Sequence, residues 1–221
     1  MVAGELINDM IPPLKPSDKA PKAITWMEEL RSNQLPVVEK GAYLGLITED
    51  IILEGNDLDR FLSDYHLIGE NCYVYSHQHM YDVIKLATDH GVEVVAVLDD
   101  DEQFEGIITV QDTLSAFAQS SAVQSPGGIM ILSMQEIDYS LSEITRLIES
   151  NDARILSSWI ANDVLDPSKI KLTIKVNKTD LSHIIATLER FGYKIIGKFQ
   201  EASGLSNEKE RIDILLKYLE I

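Results

Sequence analysis

One cysteine, Cys72, is all that 221 residues contain, which excludes an internal disulfide and a zinc site built on several thiolates. No stretch reaches the roughly 18 consecutive apolar residues that a membrane-spanning helix needs. The first ten residues carry Glu5 and Asp9, with neither a basic start nor an apolar signal core. A soluble protein of a reducing compartment, the cytoplasm, is therefore expected. Positive charge is scarce as well: 19 Lys and Arg against 36 Asp and Glu give a net charge of −17. The deficit is concentrated before Pro126, where 7 basic residues face 22 acidic ones; from Pro126 on, 12 face 14. A first segment at −15 repels phosphate backbones and acidic lipid, so neither nucleic acid nor a membrane is an expected partner. The sequence also lacks a P-loop, dinucleotide-binding glycines, a Ser-His-Asp context and a metal-ligand set. A protein that binds and does not catalyse is expected, with no required cofactor and no metal.

With 45% hydrophobic and 25% charged residues, the composition is that of a globular chain. The change in charge balance coincides with Ser120 to Gly128, a small uncharged stretch ending in Pro-Gly-Gly, where a domain boundary is expected. Before it lies an internal repeat. Leu35-Pro-Val-Val-Glu39 and Gly45-Leu-Ile-Thr48 return as Val95-Ala-Val-Leu-Asp99 and Gly106-Ile-Ile-Thr109, with the two threonines 61 positions apart. A helical pattern precedes each copy. The first is Ala20, Ala23, Ile24, Met27 and Leu30, with Pro21 confined to its first turn. The second is Met80, Val83, Ile84 and Ala87, closed by Gly91 as a left-handed cap. Each unit reads helix, strand, turn, strand, short helix, and about 60 residues cannot bury both faces of it alone, so the copies should pack together.

After Gly128 the rhythm changes to strand, helix, strand, strand, helix, strand. Ile129 to Met134 and Arg154 to Ile160 read as strands. Ser140-x-x-Glu143 is a capping box opening a helix with Leu141, Ile144, Leu147 and Ile148 on one face. Ile170, Leu172, Ile174 and Val176 alternate with polar residues, as a sheet with one wet face requires. Leu181, Ile184, Ile185 and Leu188 form the second helix, stopped by Gly192 before a strand over Tyr193 to Phe199. The expected fold class is α+β, this part being a ferredoxin-like βαββαβ sheet. Asn207 with Glu210 can cap an amphipathic C-terminal helix bearing Ile212, Leu215, Leu216 and Leu219.

The tandem motif, ending in Gly106-Ile-Ile-Thr-x-x-Asp112, resembles a pair of CBS domains, the module named for cystathionine β-synthase. Residues 129–200 look like an ACT domain. Together with the Tyr139-Ser-Leu-Ser-Glu-Ile144 stretch, the chain is similar to CBS–ACT proteins of the acetoin-utilisation B type. The expected division is CBS repeat 1 over 1–62, CBS repeat 2 over 63–122, an ACT-like domain over 127–200 and the C-terminal helix over 205–221.

The resemblance implies an adenosine ligand held by a threonine at its phosphate and an aspartate at its ribose diol. A carboxylate can accept from two vicinal hydroxyls, and a strand-to-helix turn offers free backbone N–H groups. The second repeat keeps both residues, Thr109 and Asp112. The first keeps Thr48 but has Ile51 at the aspartate position, and Asp50, one place early, is rotated by about 100° on a helix. One competent site per chain is expected, with Tyr75, Ser76 and Val95 bordering the base by position. Free ATP fits the acidic surroundings less well than AMP, adenosine or S-adenosylmethionine, the nearest basic group being Lys15, Lys19 and Lys22. The expectation is a regulatory sensor acting as a homodimer or higher oligomer; the alternative is an interaction scaffold with an unliganded CBS pair.

Plainer roles compete for several residues. Thr109 can satisfy its turn and Asp112 cap the following helix. Asp99-Asp-Asp-Glu102 lacks EF-hand spacing and reads as a solvated hairpin turn. His77-x-His79 finds no third metal ligand at reliable spacing. Cys72 reads as a small buried residue. The turn Glu136 to Ser140 has no glycine or proline with which to approach an amino-acid effector. Sheet pairing between chains is therefore the expected role of the ACT-like part, with Leu141 and Ile144 in its core and Trp159 at an interface or in the core.

Overall fold

The computed structural model describes residues 1–55 and 59–200, so the expected C-terminal helix, its Asn207 and Glu210 cap included, lies outside the described residues. The chain forms two compact units, Met1–Phe117 and a second beginning at Ala118.

In the first unit, helix α1 (Ala20–Leu30) carries Pro21 in its opening turn and buries Ala20, Ala23 and Met27. Strands β1 (Gln34–Glu39) and β2 (Ala42–Thr48) form an antiparallel hairpin. Its two-residue turn, Lys40-Gly41, has φ of 53° and 88°, the pattern whose twist suits a tight hairpin. Helix α2 (Glu49–Glu54) follows. The second copy repeats this order: β3 (Tyr73–Tyr75), α3 (Met80–His90), β4 (Val94–Leu98), β5 (Phe104–Thr109) and α4 (Val110–Ala118). Gly91 ends α3 at φ 63°, ψ 33°. β3 runs parallel to β4, and the first copy has the counterpart of this pairing in the Leu14–Val37 bridge. One apolar core, including Leu35, Ile47, Ile52, Val74, Val95 and Ile107, joins both copies.

The copies also exchange their leading segments. Residues 1–9 form a strap across the second copy: Ala3 N–H donates to the Gln78 carbonyl, Gly4 N–H to Ser76, and Asn8 N–H to Ile107. The counterpart strap, residues 60–69, crosses the first copy, where Ala20 N–H donates to Arg60 and Leu62 N–H to Asp18. Leu46 and Ile68 there exchange both backbone bonds, at 2.7 and 2.9 Å. The stretch 63–122 is thus crossed by residues 1–9 of the other, and 1–62 by residues 63–69, through Ser63 N–H donating to Pro16 and the Leu46–Ile68 pair. This crossing gives the motif glycines their physical purpose. A Cβ on Gly45 would stand 2.9 Å from the Ile68 carbonyl oxygen, and one on Gly106 would collide with Ile7.

The second unit has α5 (Ser121–Gln124), β6 (Gly128–Gln135), α6 (Leu141–Glu149), β7 (Ile155–Asn162), β8 (Lys169–Val176), α7 (Ser182–Arg190) and β9 (Lys194–Phe199). The sheet order β7-β8-β6-β9, antiparallel throughout, is that of the ferredoxin-like split sheet. Met130, Leu132, Ile170, Leu172 and Ile174 face Ile144, Leu147, Ile184 and Leu188 of the helices. Two expectations need correction. Only half of the capping box forms: Ser140 Oγ accepts from Glu143 N–H at 3.4 Å, while the Glu143 carboxylate accepts from the Tyr193 hydroxyl at 2.8 Å. Leu141 stays 36% exposed, because it sits in the first turn of α6, short of the core that Ile144 enters.

Candidate functional site

β5 delivers Thr109 to the start of α4, and the two residues of the motif bond to each other there. Asp112 N–H donates to Thr109 Oγ1 at 3.0 Å, and Thr109 N–H donates to Asp112 Oδ2 at 2.9 Å. The Thr109 hydroxyl adds a 2.6 Å bond to the same oxygen. This reciprocal arrangement caps the helix, and a carboxylate in the first turn opposes the positive end of its dipole. The strap adds Asn8, whose Nδ2 donates to Asp112 Oδ1 at 3.2 Å and Oδ2 at 3.1 Å. Asn8 is itself held by its backbone bond to Ile107 and by Met10 N–H, which donates to its Oδ1 at 3.0 Å. Asp112, Thr109 and Asn8 are all half-buried.

The related place in the first copy has the same frame and different chemistry. Thr48 caps α2 by accepting from Ile51 N–H at 3.2 Å. Glu49 N–H donates to Asn33, as Val110 N–H donates to Glu93 in the second copy. Where Asn8 approaches Asp112, the first copy has Ile68 and Ile51. These two line a cleft of about 430 Å³ with Asn33, Gln34, Thr48 and Glu93. One site thus carries an amide and a carboxylate where its counterpart carries two isoleucines. The start of β1 and the approach to β4 meet here, Glu93 N–H donating to Gln34 Oε1 at 2.9 Å.

Thr109 with Asp112 and Thr48 therefore occupy equivalent turns, Val95 lies one register position from Thr109, and Tyr75 and Ser76 stand at the other end of β4. Tyr75 pairs with Leu98 at one end of β4, whereas Thr109 pairs with Val94 at the other, four residues or about 13 Å away. Because β3 is parallel to β4, it is the residues before Tyr73 that approach the Thr109 end. Ser76 accepts from Gly4 of the strap, and Tyr75 stacks on His77. Burial, then Tyr73 and nearby carboxylates, push the Tyr75 phenol upward. Val95 is buried in the core beside Ile108. Of the expected basic group, Lys19 pairs with Asp59, and Lys22 pairs with Asp18 while covering the Trp26 ring.

His77 and His79 take separate partners: His77 meets Asp100 at 3.0 Å, and His79 Nδ1 accepts from Tyr81 N–H to cap α3. Asp99 organises its turn by accepting from Asp101 and Gln103 N–H. Asn8 is the participant that the sequence motif did not reveal. The signal was available, since Asn8 precedes Ile68 by 60 positions, the offset at which α1 precedes α3, and the pair changes character together with Asp112 and Ile51.

The family model of the CBS domain matches residues 65–119. Among solved structures, protein MJ1004 of Methanocaldococcus jannaschii is similar at 17% identity and a TM-score of 0.50, over 55% of this chain and 62% of that one. A CBS domain pair/ACT domain protein of Thermotoga maritima is similar at 18% identity and a TM-score of 0.48, over 54% and 98%. CBSX2 of Arabidopsis thaliana in complex with AMP follows at 18% and 0.47, over 53% and 96%. The likeness is one of fold: α+β, a CBS-type pair of repeats.

Proposed function

We propose that the protein is a non-catalytic regulatory sensor of the cytoplasm. It binds an adenosine-containing ligand at the second repeat, and the match of residues 65–119 to the CBS domain supports this class of function. The observation that carries the reading is Asp112. Its half-buried carboxylate stands at a strand-to-helix turn beside Thr109, and its Oδ1 accepts only the 3.2 Å bond from Asn8 among the described residues. A vicinal diol can donate to both carboxylate oxygens there, and Thr109 with the N-terminal turn of α4 can meet a phosphate. Three carboxylates, Glu49, Asp50 and Glu93, line the adjoining cleft and disfavour a tetravalent anion, so AMP, adenosine or S-adenosylmethionine is preferred to free ATP. No cofactor is required.

The unit acts as a homodimer or higher oligomer. Strand β7 supports this: it is an uncharged edge strand with Trp159 68% and Ile160 48% exposed, whereas the other edge, β9, is guarded by Lys194 and Lys198. Ligand binding shifts the population of repeat orientations, and the second unit or a partner reads the shift. The scaffold alternative has its own observation, the Asp112 carboxylate already engaged by Thr109 and Asn8. Calorimetric titration with AMP, magnesium-ATP and S-adenosylmethionine, beside Asp112→Ala, separates the two. Micromolar heat lost in the variant supports the sensor; flat titrations of folded protein leave the scaffold.

A further inference from the structure

The carboxylate that would hold a ribose is also what anchors the N-terminal strap. Asn8 spends its side-chain amide on both oxygens of Asp112, at 3.2 and 3.1 Å. Oδ2 already accepts from Thr109 N–H and its hydroxyl, so Asn8 supplies the third donor to that oxygen. A carboxylate offers about four acceptor directions, and a diol that chelates both oxygens needs those the amide occupies. The first copy has no such contest, because its strap crosses with Ile68 and its helix carries Ile51 in the first turn. The strap is otherwise held by backbone bonds at Ala3, Gly4 and Asn8, by Met80 N–H donating to the Met1 carbonyl, and by buried Ala3 with Leu6 and Ile7 against the core.

From this geometry we infer that Asn8 is a regulatory residue: ligand and strap compete for Asp112, so that occupancy of the site loosens residues 1–9 and docking of the strap weakens the ligand. This inference rests on the sensor reading above and names its output, the strap itself. Asn8 holds its carboxylate shut without touching a ligand. The linkage is reciprocal, so the factor by which the amide weakens binding is the factor by which binding loosens the amide. One hydrogen bond to a charged group, long and shared between two oxygens, sets that factor at about tenfold, or about 1.4 kcal/mol.

Two measurements on the full chain test it, both with AMP as the probe. Calorimetry compares wild type with Asn8→Ala and with Asn8→Ile, the latter being the residue type that the other strap carries at this place. Hydrogen–deuterium exchange follows residues 1–9 with and without AMP, and in Asn8→Ala without ligand. The expected results are about tenfold tighter AMP binding by Asn8→Ala, faster exchange of the strap on AMP addition, and equally fast exchange in unliganded Asn8→Ala. Weaker AMP binding by both Asn8 variants, or a strap that exchanges more slowly with AMP, overturns the competition while leaving the sensor intact. Strap exchange unchanged in unliganded Asn8→Ala also overturns it, since the pair then anchors nothing. Flat titrations of every folded protein sink the sensor reading itself, and the linkage with it.

Discussion

Replacing Gly45 by alanine asks whether the exchanged straps hold the first unit together. Gly45 has φ of +139°, a conformation that an L side chain adopts at a cost of about 1–3 kcal/mol. The added methyl carbon would also stand 2.9 Å from the Ile68 carbonyl oxygen and 3.0 Å from Leu67 Cβ. Neither neighbour is the free end of a long side chain, so the strap must move, and overpacking of this kind costs about 1–3 kcal/mol. Part of the strain is relieved by the same movement, so the two costs overlap, and a loss of about 3 kcal/mol is expected. Gly91→Ala is the control, with φ of +63° and nothing within 4 Å of the new carbon; its cost is backbone strain alone, about 1–2 kcal/mol. The assay is urea unfolding followed by tryptophan fluorescence. Trp26 lies in the first unit and Trp159 in the second, so a Trp159→Phe background reports on the first unit. A Gly45→Ala loss no larger than that of Gly91→Ala would refute the close packing of the strap.

Further tests reach other parts of the molecule. Burial, then the hydrogen bond to Glu143, push the Tyr193 phenol up to about 12 from an ordinary 10. A raised value means that the folded state holds this proton more tightly. The associated stability is fully present below pH 10 and falls away between pH 10 and 12. Tyr193→Phe should flatten that decline in the urea midpoint of the second unit, and an unchanged slope would contradict it. Replacing Trp159 by lysine on the open edge strand should dissociate the proposed oligomer in sedimentation velocity without changing the far-ultraviolet spectrum; an unaltered sedimentation coefficient counts against β7 as the contact. Ile52→Ala, at a fully buried core position of α2, should cost about 2–5 kcal/mol in the same urea assay, and a loss under 1 kcal/mol would deny it a core position.

The fold was legible wherever the signal was local and periodic. Alternation at Ile170, Leu172, Ile174 and Val176 becomes β8 with every second side chain buried, and Gly91 takes the left-handed cap that its place after Ala87 requires. The repeat was legible too, because motifs 61 residues apart can be compared directly. What the chain concealed were partnerships set by tertiary approach. Ser140 and Glu143 have capping-box spacing, yet Tyr193, fifty residues later, captures the glutamate. Tyr75 and Ser76 come just before α3 in sequence, but parallel pairing with β4 carries them to the end of the sheet away from Thr109. Asn8 reaches Asp112 across 104 positions because the straps are exchanged, and no periodicity within either copy records such an exchange.

The account stands or falls on whether Asp112 receives a ribose diol. Titrating AMP into the full chain by calorimetry, beside Asp112→Ala and with circular dichroism to verify that both are folded, tests this most directly. Micromolar binding by wild type that vanishes in Asp112→Ala is predicted. Equal heats from both proteins, or none from either, would contradict it.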